Sequence, residues 1–332
     1  LTAALLATAS ANTAAAQQDS LRIATFNAEL TRKGPGLLLR DILRGEDPQI
    51  EAFKALLREV QPDIIALQGI DHDLRATALG ALADDLAQAG MSYAYKFTAA
   101  PNAGQASGLD LNGNSKLGDA DDSHGYGRFT GNGGMAILSR FPIEVSGVED
   151  YTPLLWRDLR GNIYPMAEGA PFGGAPVHDV HRLSSRGHWV VPITTPSFGT
   201  LRLMTFHATP PLYDGPEDRN GRRNHDEVAF WSDYLARDDG ETPFVILGTA
   251  NTDPARGGGR PEAINALLGD PLVQNPFDDT PTADFRDPLP GDLRVDYLLP
   301  SATWRVLDHG MLSDPQASRH SLLWVDITRT NP

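Results

Sequence analysis

The sequence predicts an α/β domain built from two packed sheets flanked by helices. Three observations carry this expectation. Strand-like apolar runs alternate with amphipathic helical stretches along almost the whole chain. One run, Ile64-Ile65-Ala66-Leu67, is continuously apolar, as a strand buried on both faces must be. Nothing between Ser20 and Pro332 has the composition of a linker, so this stretch of the 332-residue chain, 41% hydrophobic overall, is expected to share one large core.

The elements follow in order. Leu21–Phe26 reads as the first strand, and Ile50–Val60 repeats apolar residues at helical spacing. Asp63–Gln68 is the buried strand, and Thr77–Ala89 is helical again. Shorter strands are expected at Ser92–Phe97, Gly134–Ser139 and Trp189–Thr194. Leu201–His207 is a strand by alternation, and Asn224–Ala236 a helix. Phe244–Thr249, Arg294–Leu299 and Leu322–Thr328 complete the strands. Two long polar segments, Pro101–Gly133 and Tyr151–Gly187, interrupt this order. Loops of that length in a compact domain are usually functional or lack fixed structure.

The formal net charge is −15 and the isoelectric point about 4.9. A nucleic-acid binder needs a basic footprint to displace counterions, so long polyanions are disfavoured as substrates. Leu1–Ala7 is a short apolar run, and Ala14-Ala15-Ala16 offers a small-residue cleavage site before Gln17. Residues 1–17 are therefore expected to be the remnant of an export signal. Residues 18–332 would then form a periplasmic or extracellular domain; a disordered alanine-rich tail is the alternative reading. No other run is long enough to cross a bilayer, and no membrane partner is expected. The absence of cysteine excludes disulfides and thiolate chemistry.

Polar residues gather at strand ends, where α/β sheets build their sites. The first strand runs into Asn27-Ala28-Glu29, and the buried strand ends in Gln68-Gly69. Leu201–Phe206 ends in His207, and Phe244–Leu247 runs into Gly248-Thr249-Ala250-Asn251. Arg294-Val295-Asp296-Tyr297 opens a further strand, and Ser318-Arg319-His320-Ser321 precedes the last. In this order, over about residues 21 to 328, the series resembles the endonuclease/exonuclease/phosphatase family of metal-dependent phosphoester hydrolases.

The resemblance implies a four-layer α/β/β/α sandwich of two packed mixed sheets, with the site at one edge. It also implies a divalent metal, Mg²⁺ or Mn²⁺ or else Ca²⁺, and a small phosphorylated substrate. By it, Glu29 would bind or orient the cation and Asn27 would support the metal or the phosphate. His207 would contact the phosphate, and Asn251 would orient the nucleophile or donate to the phosphoryl group. Asp296 would orient His320, which stabilises the transition state or the leaving oxygen.

Three acidic positions of the family pattern are replaced. Gly69 stands where a metal-binding Glu follows the Gln, Thr249 where an Asp activates water, and Arg319 where an Asp precedes the His. Two-metal chemistry is therefore not expected. One cation near Glu29, with His207, Asn251 and His320 as donors and Arg319 as a phosphate clamp, is the arrangement left.

Two features lie outside this pattern. Asp110, Asn112, Asn114 and Asp121 have the one, three, five and twelve spacing of an EF-hand-like Ca²⁺ loop, for which a polar surface loop is the alternative. Arg219, Arg222 and Arg223 could bind a second anionic group of the substrate. Equally, Asn224 could cap the following helix, with Asp226 and Glu227 in its first turn. Arg182–His188 is another basic, hydroxyl-rich loop that could contact the substrate, with a surface loop as the alternative. The expected function is an exported phosphodiesterase or phosphatase. A non-catalytic phosphate- or ligand-binding protein on the same fold and an extracellular nuclease are the alternatives.

Overall fold

A computed structural model describes residues 20–238, 240, 242–286 and 290–329. The segment read as an export signal lies outside the described residues. The chain opens with β1 (Leu21–Asn27), α1 (Leu37–Arg44), α2 (Pro48–Val60), β2 (Ile64–Ile70) and α3 (Thr77–Gln88). It continues through β3 (Tyr95–Phe97), β4 (Gly134–Ser139), β5 (Glu149–Asp150), α4 (Gly174–Val180), β6 (His188–Thr195) and β7 (Gly199–His207). It closes with α5 (Arg219–Leu235), β8 (Phe244–Thr249), α6 (Glu262–Leu268), β9 (Asp296–Pro300), β10 (Trp304–Leu312) and β11 (Leu322–Arg329). One sheet has the strand order β10-β11-β1-β2-β4-β3, the other β9-β8-β7-β6-β5. Both are mixed, with β1 and β2 parallel in one and β7 and β8 parallel in the other.

Strand periodicity explains the layering, because successive side chains face opposite sides. Ile23 and Ile64 point between the sheets and meet Trp189, Leu203, Val245 and Leu247. Phe26, Ile65 and Leu67 face the other way, onto Phe53, Leu57 and Leu82 of the helices. On the far sheet, Phe206, Phe244 and Ile246 pack against Val228 and Trp231 of α5 and Ile264 of α6. Helix, sheet, sheet, helix is the resulting stack, as expected. α2 starts where its sequence dictates: Asp47 accepts from the Gln49 and Ile50 amides, and Pro48 takes the first helical position.

The structure departs from the expected elements in several places. β10 was not expected, because this edge strand alternates poorly and carries Asp308, His309 and Gly310. Gly310 is required there: a Cβ would lie 2.8 Å from the Trp324 ring. The short helices α1, α4 and α6 were also missed. α5 begins at Arg219 rather than at Asn224, which places Asn224, Asp226 and Glu227 inside the helix and buries them. Asn224 therefore does not cap it.

The inter-sheet core should dominate stability. Leu247 is fully buried there, so Leu247→Ala is expected to lower unfolding free energy by about 2–5 kcal/mol in urea titrations. A loss below about 1 kcal/mol would contradict tight packing between the sheets.

Candidate functional site

Register brings the expected residues to one rim. Asn27 and Gln68 end the parallel pair β1 and β2 side by side. In the other sheet His207 lies opposite Thr249, which in turn lies opposite Asp296. His320 enters from the segment before β11, the antiparallel neighbour of β1. A cavity of about 330 Å³ is lined by Asn27, Glu29, Arg186, His207, Asn251, Arg319 and His320.

His320 and Asp296 form the best-defined part of the site. The imidazole Nδ1 lies 2.7 Å from Asp296 Oδ2, and both side chains are almost fully buried. An ionised carboxylate only accepts, so Nδ1 carries the proton. Asp296 is itself fixed, accepting from the Thr249 hydroxyl at 2.7 Å and the Thr282 hydroxyl at 3.1 Å. Thr249 is wholly buried and spends its hydroxyl on Asp296, so it does not take over the water-activating role of an Asp. On the other side, His320 Nε2 lies 3.4 Å from Asn27 Nδ2. Burial pulls the His320 pKa down, but the Asp296 carboxylate outweighs it and holds the value above the ordinary one.

The expected cation ligand is otherwise engaged. Both oxygens of Glu29 accept from Arg319: Oε2 from the backbone amide at 2.9 Å, and Oε1 from Nε at 3.0 Å and from Nη2. Ser318 Oγ adds a bond to Oε2 at 3.1 Å. Burial pushes the Glu29 pKa up, yet the bonds from Arg319 prevail and keep it below the ordinary carboxylate value. Gly69 offers no replacement ligand. Its φ is +68°, and a Cβ there would lie 2.6 Å from Asn27 Oδ1 and 3.1 Å from the Glu29 amide. Asp71 accepts from the Arg32 and Gly133 amides, Asp73 from amides at the start of α3, and Asp253 from the Ala255, Arg256 and Arg294 amides. Among the described residues, no group of three or more His, Asp or Glu side chains is arranged to hold a metal ion. The donor set does not fit the divalent cation expected at Glu29.

His207 lines the cavity and borders a second lobe of about 440 Å³. Its Nδ1 is buried without a partner, and burial followed by the nearby Arg186 charge holds its pKa well below the ordinary value. It is therefore a neutral imidazole. Asn251 adopts a left-handed backbone, with φ 55°, and donates through Nδ2 to the Ala208 carbonyl at 2.8 Å. Arg186 lines both lobes. Its guanidinium donates to the Tyr126 carbonyl and, among the described residues, pairs with no carboxylate. Its sequence signal is membership of the basic Arg182–His188 loop, which does not distinguish it from Arg182.

The basic trio divides. Arg219 and Arg223 line the second lobe, though each already donates to carbonyls: Arg219 to Leu111, Arg223 to Leu183, Arg182, Ser184 and His124. Arg222 lines neither lobe and donates to the Ile163 carbonyl, so it is not placed to bind substrate. The expected Ca²⁺ loop also divides. Asp110 accepts from the Gly113, Asn114 and Ser115 amides, Asn112 from the Asn114 amide, and Asn114 from the Lys116 amide. Asp121 makes no bond with these three and lines the second lobe, while Asp119 receives the Asn114 amide group. The twelve-position ligand is thus turned away from the loop.

The model of the Endonuclease/Exonuclease/phosphatase family matches residues 24–320. Among solved structures, an endonuclease/exonuclease/phosphatase from Beutenbergia cavernae superposes with a TM-score of 0.59 at 18% identity, over 95% of this chain and 72% of that one. A family protein from Leptotrichia buccalis gives 0.54 at 15% identity, over 92% and 99% of the two chains. Sphingomyelinase C from Streptomyces griseocarneus gives 0.51 at 16%, over 92% and 99%. At these identities the likeness concerns the fold. No curated protein matches the chain.

The arrangement offers neutral donors at Asn27, Asn251 and His207, a guanidinium at Arg186, and an imidazole charged below its raised pKa. Because that pKa is raised, the His320–Asp296 pair contributes its full stabilisation below the ordinary value of 6.5 and loses it as pH climbs through the folded-state value. NMR titration is expected to place the His320 pKa above 6.5 in the wild type and below it in Asp296→Asn. Equal values in the two proteins would contradict the role given to Asp296.

Proposed function

This chain belongs to the endonuclease/exonuclease/phosphatase family, and on that premise we propose that it is an exported phosphoester hydrolase acting on a small phosphorylated substrate. Members of this family are generally phosphoester hydrolases. The observation that carries the proposal is the His320 imidazole held by buried Asp296 on a cleft that also presents Asn27, His207 and Asn251.

The chemistry follows from these groups. Water adds its oxygen to phosphorus as the bond to the ester oxygen breaks, and the proton released from that water is balanced by one taken up by the departing oxygen. The charge that builds on the phosphoryl oxygens is met by donors already fixed in place, which need no reorganisation at that moment. Asn27 and Asn251 supply amides, neutral His207 one N–H, and Arg186 a guanidinium. His320, its Nδ1–H committed to Asp296, acts through Nε2 on the leaving oxygen or the adjacent phosphoryl oxygen.

Substrate size is argued from the cleft. Lobes of about 330 and 440 Å³ match the usual volume of small-molecule sites. Pro210, Leu212 and Tyr213 border both lobes and give the substrate's organic part an apolar wall. A net charge of −15 opposes long polyanions. Export is supported by the apolar run and the small-residue site before Gln17. One observation favours a second reading, a phosphate-binding protein without turnover: no carboxylate stands where water would be activated, since Thr249 serves Asp296.

Turnover of a chromogenic phosphodiester and phosphomonoester separates the two. His320→Gln is expected to lower kcat/KM by about 10²–10⁴-fold with its circular dichroism unchanged. A folded wild type that hydrolyses neither ester beyond this variant would favour the binding protein. Arg186→Gln is expected to weaken inhibition by inorganic phosphate about ten- to a hundredfold. An unchanged inhibition constant would remove Arg186 from the phosphate site.

A further inference from the structure

We propose that Arg319 occupies the place of the divalent cation, so that this site holds no metal ion there and meets phosphoryl charge with a guanidinium. The inference rests on the hydrolase reading above and departs from the metal-dependent chemistry that the family resemblance implies. Two independent observations support it.

First, the carboxylate best placed to hold a cation is saturated. Glu29 receives the Arg319 backbone amide, its Nε and Nη2, and the Ser318 hydroxyl. A fork-to-carboxylate pair is among the strongest charge-assisted arrangements, and it neutralises Glu29 where it would otherwise attract a cation. The Arg319 guanidinium also lies 5.4 Å from the centroid of the Phe285 ring.

Second, the position next to Glu29 excludes a second carboxylate. Gly69 holds a left-handed backbone with Asn27 Oδ1 2.6 Å from where a Cβ would sit. A glutamate at that position would displace both Asn27 and the backbone of Glu29. A hard cation needs several oxygen ligands, and one already neutralised carboxylate is a poor start.

Arg319 can act toward substrate while it pairs with Glu29. A guanidinium has five N–H donors, and the Nη1 group of Arg319 has no partner among the described residues. Arg319 lines the cleft beside His320. Its charge is fixed, whereas a bound cation would have to be recruited from solution.

The test uses the full protein, stripped with a chelator, in two measurements. Hydrolysis of the chromogenic phosphodiester is expected to continue at the same rate with chelator, Mg²⁺ or Mn²⁺. In parallel, Mn²⁺ is titrated against histidine-labelled protein, and paramagnetic broadening of the His320 imidazole signals is followed. No broadening is expected in the wild type at one equivalent of Mn²⁺. Arg319→Asp frees Glu29 and sets a carboxylate beside it, and is expected to take up Mn²⁺ and lose those signals. Broadening in the wild type, or turnover abolished by chelator and restored by either ion, would overturn the proposal. Absence of turnover under every condition would count against the hydrolase reading, and the Mn²⁺ titration would still decide whether the cation position is filled.

Discussion

Packing one sheet against another is the constraint from which the rest of this structure follows. Both faces of the central strands are covered, so their middles are predominantly apolar. Ile23, Ile64, Leu203 and Val245 have no solvent exposure. The polar groups of the site sit at strand ends, where chain leaves the stack. Because β1 and β2 run parallel in one sheet and β7 and β8 in the other, the ends bearing Asn27 and His207 can share a rim. The site is the place where the core stops.

Such a rim works only if its loops are held, and buried polar contacts from α5 hold them. Asn224 donates to the Thr209 and Ala250 carbonyls at 2.7 and 2.6 Å, joining the loop after β7 to the loop after β8. Glu227 accepts the Ser185 and Thr209 amides, and Arg223 gathers carbonyls from the 182–184 segment and His124. Burial pushes the Glu227 pKa up, while Arg223 and the two amides oppose it. A buried polar group left without its partner is costly, so this network fixes loop positions as firmly as apolar packing fixes the strands. His207 and Arg186 are aimed into the cleft as a result.

The charge balance of the cleft has a different origin from its shape. Glu29 is neutralised by Arg319, and Asp253 by amides and by Arg256 at 3.2 Å. Among the described residues, Arg186, Arg219 and Arg223 line the two lobes without an ion pair to a carboxylate, and they are joined by an imidazole whose pKa Asp296 has raised. An anion entering the cleft therefore meets cations held in low-dielectric surroundings, where their attraction exceeds that in water.

Sequence by itself determined much of this. Periodicity and continuous apolar runs such as Ile64–Leu67, bounded by polar and turn residues, specified most of the strands that form the two sheets. The ordered strand-end residues specified the family and the Asp296–His320 pairing. β10 escaped because an edge strand need not alternate, and α5 was cut short because its polar residues face inward onto loops. Only the tertiary structure decided the state of the charges. Whether Glu29 faces a cation or Arg319 depends on two residues 290 positions apart meeting at hydrogen-bond distance. Whether Asp121 joins its loop or Arg222 reaches the cleft depends likewise on side-chain direction. Patterns along a chain record which face is apolar; they do not record which polar groups spend their hydrogen bonds on each other.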